Sequence, residues 1–464
     1  MSKRRKYPRP FDAVNRSWLH VALSVALVIC ACSGSSGPVA APPTEDPGTS
    51  LDAVINPDVP PPVSVAGDRV VTSQADVDSL PKGTAFSIAG DLLIEGVADI
   101  DLAGLDSLVQ IGGNLSIRDN PGLRRPPLDG LQQLTGDLVL RNNPALVMQD
   151  AFPVLTHVGG SVVVADNGPG DLDGFGILDQ LGGDLSITGH DGLGSVSGFR
   201  RLIRIGGSLL IQANNATALR LPGLARLARV EGHVQVESNT VDTLEGPRGL
   251  LSVGGTLELS DNEVHVLAGF DQLGLIEGSL VVADDDSLRF VEAWANLLEV
   301  GGELSIRGLP RLSTVAFLNE LIRVDGRLEI ADNAAVENIK LPALQRAGSL
   351  TVSCDPQDCR LHELNLEELT RVHGDLVISG THLLDLDGLD HLRTVEGDLI
   401  LQFNDVLEDI QGLAGLDTLG GDQAHFINRE QPLDQIADLI EQLRDNGFEG
   451  DVQIVGGFSG LTED

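Results

Sequence analysis

Aromatic residues are scarce in this 464-residue chain, which holds twelve phenylalanines, two tryptophans and one tyrosine. Tyr7 and Trp18 lie near the start, so everything after residue 31 has no tyrosine and a single tryptophan, Trp294. Sugar-processing clefts usually offer aromatic platforms, and this scarcity weighs against a glycan-processing groove. Positive charge is also in short supply. Lys and Arg number 31 against 68 Asp and Glu, a net charge of −37. Binding a phosphate backbone needs clustered positive charge, so a nucleic-acid partner is disfavoured. A charge of this size confers solubility and attracts cations. No nucleophile elbow, phosphate loop or zinc-protease helix signature occurs, and neither does the G-G-x-G-x-D string of calcium-binding β-rolls. Nor is any apolar run long enough to span a membrane: Leu19–Ala31 has 13 residues, where about 20 are needed.

That short run follows the basic segment "MSKRRKYPRPFDAVNRSW", and the pair reads as a secretory signal. Its last four residues, Ile29-Cys30-Ala31-Cys32, resemble a bacterial lipobox. The resemblance implies removal of residues 1–31 and a lipid anchor on Cys32. Cys30 fits less well, because Ile29 stands where a small residue belongs; an ordinary cleaved signal is the alternative. Residues 32–67 are rich in Pro, Gly and Ser, lack periodicity and read as an extended tether. Ser33 after the cysteine points toward the outer membrane, on its surface or its periplasmic face. Loss of residues 1–31 takes six basic and one acidic residue, leaving 25 and 67 and a net charge of −42. Two cysteines remain, Cys354 and Cys359 in "SCDPQDCRL". A local disulfide is the favoured reading, since a C-x4-C metal half-site has no second cysteine pair to complete it.

The body of the chain repeats itself. "IGGNLSIRDNPGL" from Ile111 returns as "TGDLVLRNNPAL", "GGTLELSDNEVHVL" and "DGRLEIADNAAVENI". Sixteen glycines mark the copies from Gly90 to Gly450, mostly 23 or 24 residues apart. Two and four residues after each glycine stand Leu, Ile or Val, as in Leu115 and Ile117. That period of two predicts a short strand with one buried face, which only stacking on the next copy can bury. The Gly421 copy, "GDQAHFIN", breaks the pattern by placing Gln423 and His425 inward. Seven after the glycine comes asparagine, at Asn120, Asn143, Asn167, Asn214, Asn239, Asn262, Asn333, Asn404 and Asn428, with Asp285 and Asp355 standing in. An inward amide at a corner satisfies backbone groups that leave the strand ladder. The rest of each unit, as in "LAGLDSLVQIGG", supplies two further inward-facing walls.

"GNLSIRDNPGL", with the "GL…L…IGG" phrase around it, resembles the receptor L-domain family, a right-handed β-helix related to leucine-rich repeats. "RVVTSQADVDSL" resembles the opening cap of bacterial members, without the cysteine often found near the first turn. The likeness runs from about Asp68 to Gly457 and carries no catalytic residues. The expected fold is therefore an all-β solenoid, a right-handed parallel β-helix of about 16 turns, spanning 68–427. Ser73 and Asp76 form a capping box that starts a short N-terminal helix through Leu80. A second cap spans 428–464, where Leu433, Ile436, Ile440 and Leu443 fall at helical spacing, Pro432 sits near the start and Asn446-Gly447 provides the stop.

Candidate chemistry is thin. Asp284, Asp285 and Asp286 are the densest carboxylate run and a possible Ca²⁺ site; no other cofactor is expected. His373, His382 and His391 fall nine apart, but on different walls, so they diverge. What remains is surface. The outward row three after each glycine includes Leu93, Val139, Val163, Leu210, Val377 and Ile400, and Arg118 and Arg141 neighbour one another on the row five after. That stripe is the expected docking face for an unknown protein or glycan. The expected function is non-covalent, receptor-like or adhesin-like recognition by an exported, lipid-anchored, non-enzymatic protein. A polysaccharide-acting β-helix enzyme and a structural envelope spacer are the alternatives.

Overall fold

In the computed structural model, residues 61–97, 100–429 and 432–456 are described. They form a parallel β-solenoid of about 16 turns with repeats near 24 residues and little helix. The expected signal, Cys32 and most of the tether lie outside the described residues. The tether ends earlier than expected, because Val63–Val65 already pairs in parallel with Phe86–Ile88.

Most turns contribute one four-residue strand to a first wall. Leu115–Arg118 pairs with Leu138–Arg141, which pairs with Val162–Ala165, always in the same register. Inward side chains such as Leu115, Ile117, Leu138 and Leu140 are fully buried. Burying one such side chain contributes about 1.5–3 kcal/mol, and the buried residues from Val71 to Phe448 form one continuous cluster. A second wall of two- to four-residue strands, such as Gln133–Leu134, leads into most of these glycines. A third wall is regular only in the middle. Asn215–Arg220, Thr240–Glu245, Glu263–Gly269 and Phe290–Ala293 make one four-stranded sheet, and Thr314–Val315, Asn338–Lys340 and Glu363–Asn365 make another of three. The scarce aromatics mostly stack inside, with Phe152, Phe175 and Phe199 at 5.3 and 4.8 Å between ring centres.

Two polar ladders run along the corners. In the expected one, Asn143 Nδ2 donates to the Ile117 carbonyl at 2.9 Å, while its Oδ1 accepts from Asn120 Nδ2 at 3.0 Å. His190 occupies one rung unforeseen in the sequence, its Nε2 3.2 Å from the Val164 carbonyl oxygen. Asp355 does not stand in: it is exposed and accepts from the Gln357 N–H instead, and Cys359 is the buried residue of that loop. The residue before most rungs takes a left-handed backbone, as at Asp119 (φ 57°), Asn142 (φ 54°) and Asp166 (φ 52°). Asp and Asn tolerate that conformation better than most side chains, and glycine best of all.

The second ladder explains the repeated glycine. Asp91 Oδ1 accepts from the Asn114 N–H at 2.7 Å, Asn114 Oδ1 from Asp137 at 2.8 Å, and Asp137 Oδ1 from Ser161 at 2.7 Å. A Cβ on Gly136 would lie 2.3 Å from that Asn114 oxygen and 2.7 Å from the Gly113 carbonyl. The glycine makes room for an acceptor from the turn below.

Three further expectations differ from the structure. The Gly421 copy does not turn Gln423 and His425 inward. Ala424 pairs with Leu399 and Phe426 with Leu401, so a one-residue shift keeps apolar residues inside. The front helix is Gln74–Asp78, shorter than expected, with Asp76 accepting from the Ser73 N–H at 2.8 Å. In the back helix, Leu433–Asp445, Ile436, Leu439 and Leu443 are buried and Leu433 is exposed. That helix also satisfies the open end: Gln435 accepts from the Ile410 N–H at 2.7 Å, and Gln442 Nε2 donates to the Leu416 carbonyl at 2.9 Å.

Candidate ligand-binding groove

The expected stripe is present as a row but divided in two. Leu93, Val139, Val163 and Leu210 stack with Ser116 and Ser186 between them, and each is half-buried by its neighbours. Val377 and Ile400 form a second, separate pair beyond the polar middle. The two arginines beside the first patch are engaged. Arg118 lies 2.8 Å from Glu95, and Arg141 lies 3.8 Å from Asp166. Exposed pairs of this kind contribute about 0.2–1 kcal/mol. They also leave little positive potential for a partner.

The aspartate run diverges. Asp284 is exposed and ion-paired with Arg307 at 3.2 Å, whereas Asp285 turns inward to the asparagine ladder. Burial pushes the Asp285 carboxyl up to about 6, although N–H groups of Ser287, Val264 and Leu288 favour its charged form. The three histidines also separate, with His373 3.3 Å from Glu396 and His391 against the Glu367 carbonyl. Among the described residues, no group of three or more His, Cys, Asp or Glu side chains is placed to hold a metal ion.

A different feature emerges where the third wall breaks. Phe290–Ala293 closes one sheet and Thr314–Val315 opens the next. Beside this break lies a groove of about 620 Å³, lined by Arg289, Phe290, Pro310, Arg311, Ser313, Ala334, Ala335, Asp358 and Arg360. Its size falls within the range of ligand clefts, about 300–1,000 Å³. The methyl side chains of Ala334 and Ala335 leave the volume open. The far side is the loop closed by the Cys354–Cys359 disulfide. First-wall partners Ile330 and Val352 are 22 apart in sequence, whereas third-wall partners Ile339 and Leu364 are 25 apart. Three extra residues therefore fall between them, on the stretch that carries this loop.

The groove has an unusual charge for this molecule. Arg289, Arg311 and Arg360 are all exposed, and no ion pair among the described residues engages any of them. Phe290 is 58% exposed, while Phe152, Phe175, Phe199 and Phe270 are buried. A second groove, of about 420 Å³, is lined by Glu367, Glu368, Asp385, Asp387 and Asp390, and neighbouring Asp385 raises the Asp387 carboxyl. Three exposed guanidiniums in one lining make a surface suited to a planar anion. The sequence held a partial signal: Arg289, Arg311 and Arg360 lie on consecutive or next-but-one copies, just past the strand. No protein-family model matches the chain, and no curated protein is significantly similar to it.

Proposed function

We propose that this protein is an exported lipoprotein, anchored through Cys32, whose receptor L-domain-like solenoid recognises a partner non-covalently. The single observation that carries the binding reading is the groove, where three arginines with no ion-pair partner among the described residues face solvent on a chain of net charge −37. Unpaired guanidiniums beside an exposed phenylalanine serve recognition better than stability. The stacked scaffold supports the same reading. Its corners are tied by side-chain ladders and its core is continuous, so little ordering entropy opposes binding. Many weak contacts on a preformed surface then suffice. The lipobox resemblance and the Pro/Gly/Ser-rich segment support presentation from a membrane surface.

Palmitate labelling of cells expressing the wild type and Cys32→Ala tests the anchor: label on the wild type alone is expected, and equal label on both contradicts it. Protease shaving of intact cells, with lysed cells as control, then locates the solenoid. Loss of the intact band before lysis is expected for receptor-like or adhesin-like display; protection until lysis contradicts that display and turns the search to periplasmic partners.

A further inference from the structure

We infer that the groove binds a carboxylated oligosaccharide, a short run of uronic-acid sugars, an assignment that rests on the binding reading above. Arg289, Arg311 and Arg360 each present a planar fork of N–H donors that matches a carboxylate. A purely anionic ligand leaves Asp358, in the same lining, facing like charge. A sugar acid gives Asp358 a role, because ring hydroxyls donate to its carboxylate while the sugar's own carboxylate meets the guanidiniums. Ser313 adds a hydroxyl that both donates and accepts. Phe290, 58% exposed and in the same lining, offers a flat apolar face against which a sugar ring packs. Aromatic residues are scarce in this chain, yet one of the few surface rings stands here.

The acidic body of the protein sets a condition. A long polyanion is repelled by the surrounding carboxylates, whereas a short segment confined to the groove is not. At physiological salt the Debye length is about 8 Å, so the distant charges are screened while direct contacts persist. The disulfide loop gives the site its far wall, holding Asp358 and Arg360 on either side of Cys359.

Calorimetric titration of the full chain with galacturonic-acid hexamer tests the assignment, with the methyl-esterified hexamer, a neutral glucose hexamer and hexaglutamate as comparison probes. Binding of the galacturonic-acid hexamer is expected, at least roughly tenfold tighter than any comparison probe, with Arg289→Ala, Arg360→Ala and Phe290→Ala each weakening it by roughly tenfold. Arg226→Ala, an exposed arginine that does not line the groove, is expected to match the wild type. Circular dichroism of each variant checks that the strands are intact, and Arg360→Lys serves where Arg360→Ala unfolds. Equal binding of the methyl ester overturns the carboxylate assignment. Tighter binding of hexaglutamate that still depends on the arginines overturns the sugar assignment and leaves the groove a recognition site. Sugar-acid binding untouched by the arginine variants overturns both the assignment and the groove. Absence of binding by every probe overturns the assignment alone.

Discussion

At the residue scale, the polar rungs matter more than their number suggests. Asp285 occupies a site that elsewhere holds an amide donating to a backbone carbonyl, as Asn262 does to Val236 at 2.8 Å. An ionised carboxylate has no proton to donate, and burial raises its pKa to about 6. A folded-state value above the ordinary one, about 3.9, means that folding favours the neutral acid. The stabilisation is therefore full below about pH 4 and lost as pH rises through about 6, a difference on the order of 3 kcal/mol. Asp285→Asn restores the donor. Its stability relative to the wild type, measured by urea unfolding, is expected to be greatest above pH 7 and to shrink toward pH 4. A pH-independent difference contradicts this. Asn143→Ala removes an acceptor for Asn120 and the donor for the Ile117 carbonyl, and a loss of about 2–4 kcal/mol is expected in the same assay. Trp294 behaves differently: fully buried, its Nε1 meets no acceptor among the described residues. Trp294→Phe removes that orphan donor, so a change within about 1.5 kcal/mol is expected, against about 3–5 for Trp294→Ala.

At the scale of elements, strand and corner were legible in the sequence to different degrees. The first-wall strands could be read directly, because alternating residues such as Leu138 and Leu140 are dictated by one buried face. The asparagine ladder was legible for the same reason, as a buried polar group in fixed register. The ladder one residue after the glycine was not, since Asp, Asn and Ser share that position and each looks like an ordinary surface residue. Nor was the groove. It depends on where the third wall breaks and where three added residues stand, and neither follows from periodicity. The back helix was legible as an amphipathic cap, but its buried face is set by Leu439 rather than Leu433. Leu439→Asp is expected to unseat the helix and expose the last turn's strand edges. Light scattering at rest should then rise relative to the wild type, because unpaired edges associate; unchanged scattering contradicts the capping role.

At the scale of the molecule, a solenoid couples each turn chiefly to its neighbours, so the ends open more easily than the middle. The regular third wall, from Asn215 to Asn365, strengthens this gradient by adding strand pairing only at the centre. Trp294 lies in that central block. In a Trp18→Phe background, tryptophan fluorescence is expected to change at higher denaturant than far-ultraviolet circular dichroism. Coincident curves would mean that the whole coil unfolds as one unit.

Recognition through the arginine groove is the central claim, and co-sedimentation of the purified full chain with envelope fractions tests it most directly. In a Cys32→Ala background, which takes no lipid, the otherwise unchanged chain and Arg226→Ala are predicted to pellet with the envelope, and the triple variant Arg289→Ala, Arg311→Ala, Arg360→Ala to stay in the supernatant. Equal pelleting of the triple variant would contradict the claim and return attention to the first-wall patches around Val163 and Ile400.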